Sequence, residues 1–219
     1  MRYAGNNLAC QNCHMDAGTR SHGLSLVGVS AKYPKPLPGG GRESIEDRIN
    51  GCMTRSMNGR PLPEDGREMH ALVAYLDALS ARPGSFGDPA EDPDALVAPP
   101  ASPAPVRGAA LYLEQCAPCH RPDGSGMRNG LPGDAAGYLH PPLWGPDSFN
   151  AAAGMARVAT AAAFIHANMP LGSSQAAPVL APAQAWDVAA YLEVPATPSR
   201  ALIGAGRLRR APSGCACAP

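Results

Sequence analysis

Two pentapeptides, Cys10-Gln11-Asn12-Cys13-His14 and Cys116-Ala117-Pro118-Cys119-His120, each place two thiols about one helical turn apart with a histidine directly after the second. That spacing suits covalent attachment of one haem through two thioether bonds, with the adjacent imidazole coordinating iron from the proximal side. Zinc and thioredoxin-like sites also use Cys-x-x-Cys. A repeat of the whole pentapeptide, each copy followed downstream by a Met and a helical pattern, points to haem instead. The expected cofactors are therefore two covalently bound haem c groups, with Cys10, Cys13, Cys116 and Cys119 as attachment points and His14 and His120 as iron ligands.

The sixth ligands separate an electron carrier from an enzyme. In Ala167-Asn168-Met169-Pro170 a Met precedes a Pro, a loop setting in which the thioether sulfur reaches iron, so Met169 is the expected partner of His120. Met127, Met155, His140 and His166 are weaker candidates. His/Met ligation raises the reduction potential and suits a relay. In the first half, Met57 occupies the place equivalent to Met169, yet Cys52 lies just ahead of it in Asn50-Gly51-Cys52-Met53-Thr54-Arg55-Ser56-Met57. A thiolate is a stronger, anionic donor that lowers the potential and suits chemistry at sulfur. Spacing alone leaves Cys52 and Met57 both open.

These residues are expected on an all-α scaffold: two tandem small class I cytochrome c-like haem domains joined by a Pro-rich linker. Each half reads as a short helix before its Cys-x-x-Cys-His, a Gly/Pro-rich loop, a Met in a turn and a closing amphipathic helix. The closing helices are expected over 68–80 and 182–194, where apolar residues recur at three-four spacing and Ala-Tyr-Leu appears near the end of both. The boundaries follow: 1–82 for the first domain, 83–106 for a Pro/Ala-rich linker, 107–194 for the second domain, and a structureless tail over 195–219. Cys215 and Cys217 lie in that tail, and a metal or redox pair there is a minor reading.

Composition removes several classes. Eighteen basic and eighteen acidic residues balance, which argues against a nucleic-acid binder working through bulk charge. No run of about 18 apolar residues is present, so no membrane span is expected. Aromatic residues are few, as a small haem domain tolerates because the porphyrin itself fills its core. Attachment to Cys-x-x-Cys-His takes place outside the cytoplasm, so a periplasmic location is expected, with the export signal lying upstream of an internal start at Met1.

Several stretches carry a family resemblance. Gly5-Asn6-Asn7-Leu8-Ala9-Cys10 through His14, Glu46-Asp47-Arg48-Ile49-Asn50-Gly51-Cys52 and Arg55-Ser56-Met57-Asn58-Gly59 resemble the periplasmic di-haem thiosulfate dehydrogenases. So do Pro142-Leu143-Trp144-Gly145-Pro146-Asp147-Ser148-Phe149 and Met169-Pro170-Leu171-Gly172. The resemblance implies that Cys52 is the axial ligand of haem 1, that haem 1 is the active site, and that two thiosulfate ions are joined oxidatively into tetrathionate, reversibly in many members. Arg42 and Arg48 then correspond to active-site arginines, whose planar forks suit oxyanions. The alternative for both is an exposed helix face paired with Glu43, Glu46 or Asp47. Ser56, one turn after Cys52, is placed to donate to a sulfonate oxygen, while Arg55 and Arg60 read as surface or propionate partners. Some relatives carry Lys directly before the distal Met and exchange ligands there. Asn168 holds that place here, so His120/Met169 ligation is expected in both redox states. The expected electron acceptor is a small soluble cytochrome c or a high-potential iron–sulfur protein. Two other readings stand beside the enzyme: a non-catalytic di-haem electron-transfer subunit, and a Cys-ligated subunit of a multi-protein sulfur-oxidation system.

Overall fold

The computed structural model describes residues 2–81, 84, 102–131 and 136–193. Of the expected linker, 83–106, only residues 84 and 102–106 are described, and its last two already belong to the helix Pro105–Leu111; the expected tail, with Cys215 and Cys217, lies wholly outside the described residues.

In the first half the Cys10–Asn12 segment forms one 3-10 turn, followed by α1 (Met15–Gly18), a single turn in which Asp16 and Ala17 adopt left-handed angles. A hairpin of β1 (Lys35–Pro36) and β2 (Arg42–Glu43) turns through Gly39, Gly40 and Gly41, all at positive φ. It leads into α2 (Ile45–Arg55). Ser44 and Asp47 form a reciprocal capping box at its start, with Asp47 N–H donating to Ser44 Oγ at 3.0 Å and Ser44 N–H to Asp47 Oδ2 at 2.9 Å. Ile45, Ile49 and Met53 recur every four residues and turn one stripe of α2 onto Leu62, Met69 and Leu76. The last two belong to the closing helix, α3 (Arg67–Ala81). The Asn50 amide ties α2 to the following loop from both sides, donating to Leu62 O at 3.1 Å and accepting from Leu62 N–H at 2.7 Å.

The second half opens with α4 (Pro105–Leu111), with Pro105 at a first-turn position where its missing N–H costs nothing. A π turn, Tyr112–Cys116, joins it to α5 (Ala117–His120). Strands β3 (Met127–Arg128) and β4 (Tyr138–His140) pair antiparallel, and α6 (Val158–Asn168) and α7 (Pro182–Leu192) complete the half. Alanines 161, 162 and 163 let α6 approach α7 closely, with Ile165, Leu180, Trp186 and Val188 filling the core between them. Helix α4 crosses α7 at Gly108, where a Cβ would stand 1.9 Å from Asp187 O. Asp187 also pairs with Arg107 at 2.8 Å and accepts from Ala104 N–H at 2.6 Å.

The chain is thus mainly helical, with two small two-stranded ladders that the all-α expectation lacked. One repeated element is also missing: residues 2–9 are irregular, so a helix precedes the second haem motif but not the first. Gly5, Asn6 and Asn7 have poor helix propensity, and both asparagine side chains bond elsewhere in the fold.

Candidate haem and sulfur site

Both proximal histidines are oriented in the same way. His14 Nδ1 donates to Leu24 O at 2.6 Å and His120 Nδ1 to Pro141 O at 2.7 Å. A carbonyl only accepts, so each ring carries its proton on Nδ1 and keeps the Nε2 lone pair for a metal. Burial holds His14 below the ordinary histidine range, against the pull of the Leu24 bond and helped by the Arg48 charge. Burial does the same for His120, with His140 adding to it against the Pro141 bond. Both shifts favour the neutral form of the ring.

The motif thiols behave as an apolar attachment site. Burial pushes Cys13 up to about 12, with Cys10 and Cys52 adding to it; Cys10 is raised by burial and by Cys52, against its own backbone hydrogen bond; and Cys116 is pushed up to about 11 by burial and then by Cys119. A thioredoxin-like pair shows the opposite, a lowered thiolate pKa. Among the described residues no group of three or more His, Cys, Asp or Glu side chains is arranged to hold a bare metal ion. Paired thiols beside an oriented imidazole fit a covalently attached haem at each motif.

Around the first motif, α2 carries Arg48, Cys52 and Arg55 on one face, turned away from the Ile49 stripe. Cys52 acts electrostatically on both Cys10 and Cys13, so its sulfur lies in the neighbourhood of the haem motif. Arg48 acts on His14, and no ion pair joins it to Glu43, Glu46 or Asp47 among the described residues; Asp47 is engaged in the capping box. The alternative of a self-paired helix face therefore does not describe Arg48. Arg42 differs: it is exposed, and its guanidinium donates to Pro34 O at 2.6 Å across the hairpin. Ser56 ends α2 as its C-cap, with its N–H bonded to Cys52 O.

Two further residues lie near this face: Arg55, read from the sequence as a surface or propionate partner, and Tyr33, which sequence reasoning left aside. Arg55 folds back over Gly51, its Nε donating to Gly51 O at 2.8 Å. Tyr33, raised chiefly by burial, feels Arg48, Glu43, Cys52 and Arg55 together. The i, i+3 step from Cys52 was a signal for Arg55; nothing in the sequence pointed to Tyr33. Arg60, by contrast, stacks over Tyr3 at 5.0 Å and donates to Arg2 O, a surface role.

In the second half Met169 is the C-cap residue of α6 and packs against the same core cluster as Cys116. Asn168 is buried, its Nδ2 donating to Phe164 O at 3.1 Å and to His22 O of the first half at 2.8 Å. Met127 lies opposite His140 in the ladder, and His166 is a core histidine bonded to Leu180 O at 2.8 Å.

Two haem motifs, each with an oriented histidine and each in its own mainly helical half, define a di-haem c-type cytochrome. Residues 2–82 match the SoxA/TsdA cytochrome c domain family, and residues 105–194 match cytochrome c. Two relatives named thiosulfate dehydrogenase, from Stutzerimonas stutzeri and Allochromatium vinosum, are each 40% identical to this chain over 87% of its length. The solved thiosulfate dehydrogenase TsdBA from Marichromatium purpuratum superposes with a TM-score of 0.73 at 35% identity, covering 87% of this chain and 41% of that one. The chain belongs to the thiosulfate dehydrogenase family. It spans 60% of the Stutzerimonas relative and 70% of the Allochromatium one.

Proposed function

We propose that this chain joins two thiosulfate ions into tetrathionate at the first haem site, with Cys52 as both distal ligand and reacting sulfur, and with Met169 as distal ligand at the second. One observation carries the reading: Cys52, on the helix that also holds Arg48 and Arg55, is near enough to Cys10 and Cys13 to act on both. Thiosulfate is a dianion, so pairing two of them requires fixed positive charge, which guanidinium forks supply without titrating.

In the forward direction the Cys52 thiolate and the sulfane sulfur of one thiosulfate form an S–S bond, releasing two electrons. The second thiosulfate attacks the outer sulfur of that adduct, and the Cys52–sulfur bond breaks. Tetrathionate leaves and the Cys52 thiolate is restored, so atoms and charge balance. The chemistry that the two bound haems supply is acceptance of the electrons, one per iron, and delivery to an external acceptor. Arg48 and Arg55 hold the sulfonate oxygens, and the Ser56 hydroxyl donates to one of them. Arg42 contributes at the rim. A soluble small cytochrome c or high-potential iron–sulfur protein takes the electrons, and the periplasm is where such attachment occurs.

Replacing Cys52 with Gly or Met tests this. Thiosulfate-dependent reduction of ferricyanide is expected to vanish while both haems remain attached. Turnover at the wild-type level in either variant would overturn the assignment.

A further inference from the structure

The last four carbonyls of a helix have no partner within it. At the end of α2 Cys52 O takes Met57 N–H at 3.0 Å and Met53 O takes Gly59 N–H at 2.9 Å. The next carbonyls are satisfied from outside. Asn150, in the second half, donates its Nδ2 hydrogens to Thr54 O at 3.0 Å and Asn58 Oδ1 at 3.3 Å, and its backbone N–H to Arg55 O at 3.1 Å. Asn6, 1% exposed, divides its amide hydrogens between Ser56 O at 2.9 Å and Ser148 O at 3.1 Å. Both amides therefore join the end of the Cys52 helix to one loop, residues 141–150. The same loop orients the other proximal histidine, through the bond from His120 to Pro141 O. It is braced internally by buried Ser148, whose Oγ donates to Pro142 O at 3.0 Å.

We propose that Asn150 and Asn6 are positioning residues for Cys52, fixing the last turn of α2 so that the sulfur meets its iron in one geometry. The inference rests on the reading of Cys52 as ligand. Thr54 and Arg55 are two and three residues beyond Cys52, so their carbonyls set the pitch of the turn that carries it. Without the two side-chain amides Thr54 O and Ser56 O lose these donors, while Arg55 O keeps the N–H groups of Asn150 and Asn58, and the turn loosens on the side that the amides held. A rotation there moves the sulfur relative to the porphyrin and moves Arg55 off the Cys52 face.

Asn150→Asp keeps the shape of the side chain while replacing the donating nitrogen with an acceptor. Asn6→Asp does the same from the opposite side. The full chain carrying each variant, with both haems attached, is compared with wild type in the near-infrared charge-transfer and electron-paramagnetic signals of the thiolate-ligated haem. Each variant is expected to split or shift the haem 1 signals while leaving those of haem 2 unchanged. Loss of an outer-shell partner typically costs 10–100-fold, so kcat for thiosulfate is expected to fall about tenfold or more. Failure to attach haem 1 alone would support the same role. Haem 1 signals and kcat indistinguishable from wild type in both variants would overturn it, as would failure of both variants to attach either haem, which would make the seam a general folding contact. A wild-type protein without any thiolate signature would overturn the Cys52 ligand reading itself, a different result from wild-type signals that the variants merely leave unmoved.

Discussion

Arg48 stands one turn before Cys52 and Arg55 three residues after it, so two guanidinium groups share a face with one sulfur. Arg42 is exposed on the hairpin and already bonded to Pro34 O. Hydrogen bonds between charged partners contribute about 1.5–3 kcal/mol, roughly one to two decades in affinity. Arg48→Gln is therefore expected to lower kcat/KM for thiosulfate by about 10–100-fold, mostly through KM, and Arg48→Lys to restore only part of it because an ammonium lacks the fork. Arg42→Gln is expected to have the smaller effect. Steady-state kinetics at constant ionic strength decide this, and an equal loss in both Gln variants would contradict the ranking. Cys52, Arg48 and Ser56 were singled out through the family resemblance, and their four-residue steps share one face because the segment is helical. Tyr33 was not, since it reaches this face only through the fold of the segment ahead of the hairpin.

Helices α4 and α7 show how one small residue sets a crossing. Gly108 lets the α4 backbone approach Asp187 O so closely that any side chain must displace α7. Overpacking of this kind costs about 1–3 kcal/mol. Gly108→Val is expected to destabilise the second half by about that much, with little change in the first, because α4 and α7 belong to the second core alone. Denaturant unfolding followed separately at the two haem spectra would show it, and equal loss at both would mean that the halves unfold as one unit. The closing helices were visible in the sequence, over 68–80 and 182–194 against Arg67–Ala81 and Pro182–Leu192 observed. Their shared Ala-Tyr-Leu nevertheless serves different ends. Tyr75 is exposed and donates to Ala17 O at 2.6 Å, whereas Tyr191 packs on Tyr112 and Trp144.

Among the described residues the two halves are joined by hydrogen bonds, and none of the buried apolar clusters spans both. Asp147 is central: it accepts from Asn7 at 3.3 Å, from Tyr138 at 2.8 Å, and from Arg128. Burial pushes its carboxyl up, but the bonds from Tyr138, Arg128 and Asn7 outweigh this and hold it below the ordinary value of 3.8. A carboxyl depressed in the folded state contributes stability above its unfolded pKa, and loses it as pH falls through the folded one. The junction is thus expected to keep its strength above about pH 4 and to loosen on further acidification. Asp147→Asn is expected to flatten that acid-side loss while starting from a lower plateau at neutral pH. Thermal unfolding by Soret circular dichroism from pH 3 to 7 tests this, and parallel pH curves for variant and wild type would reject it.

What the sequence by itself determined is the covalent and local chemistry. Two Cys-x-x-Cys-His motifs define their own attachment geometry within five residues, and the four-residue steps between Arg48, Cys52 and Ser56 bring these side chains within reach of one another once the segment is helical. What only the tertiary structure decided is which groups from elsewhere meet them. The paths from Leu24 O to His14, from Pro141 O to His120, and from Asn150 to the end of the Cys52 helix cross 10, 21 and 96 residues. Such contacts leave no period in the sequence, because an asparagine that caps a distant helix looks like any loop asparagine until the chain has closed on itself.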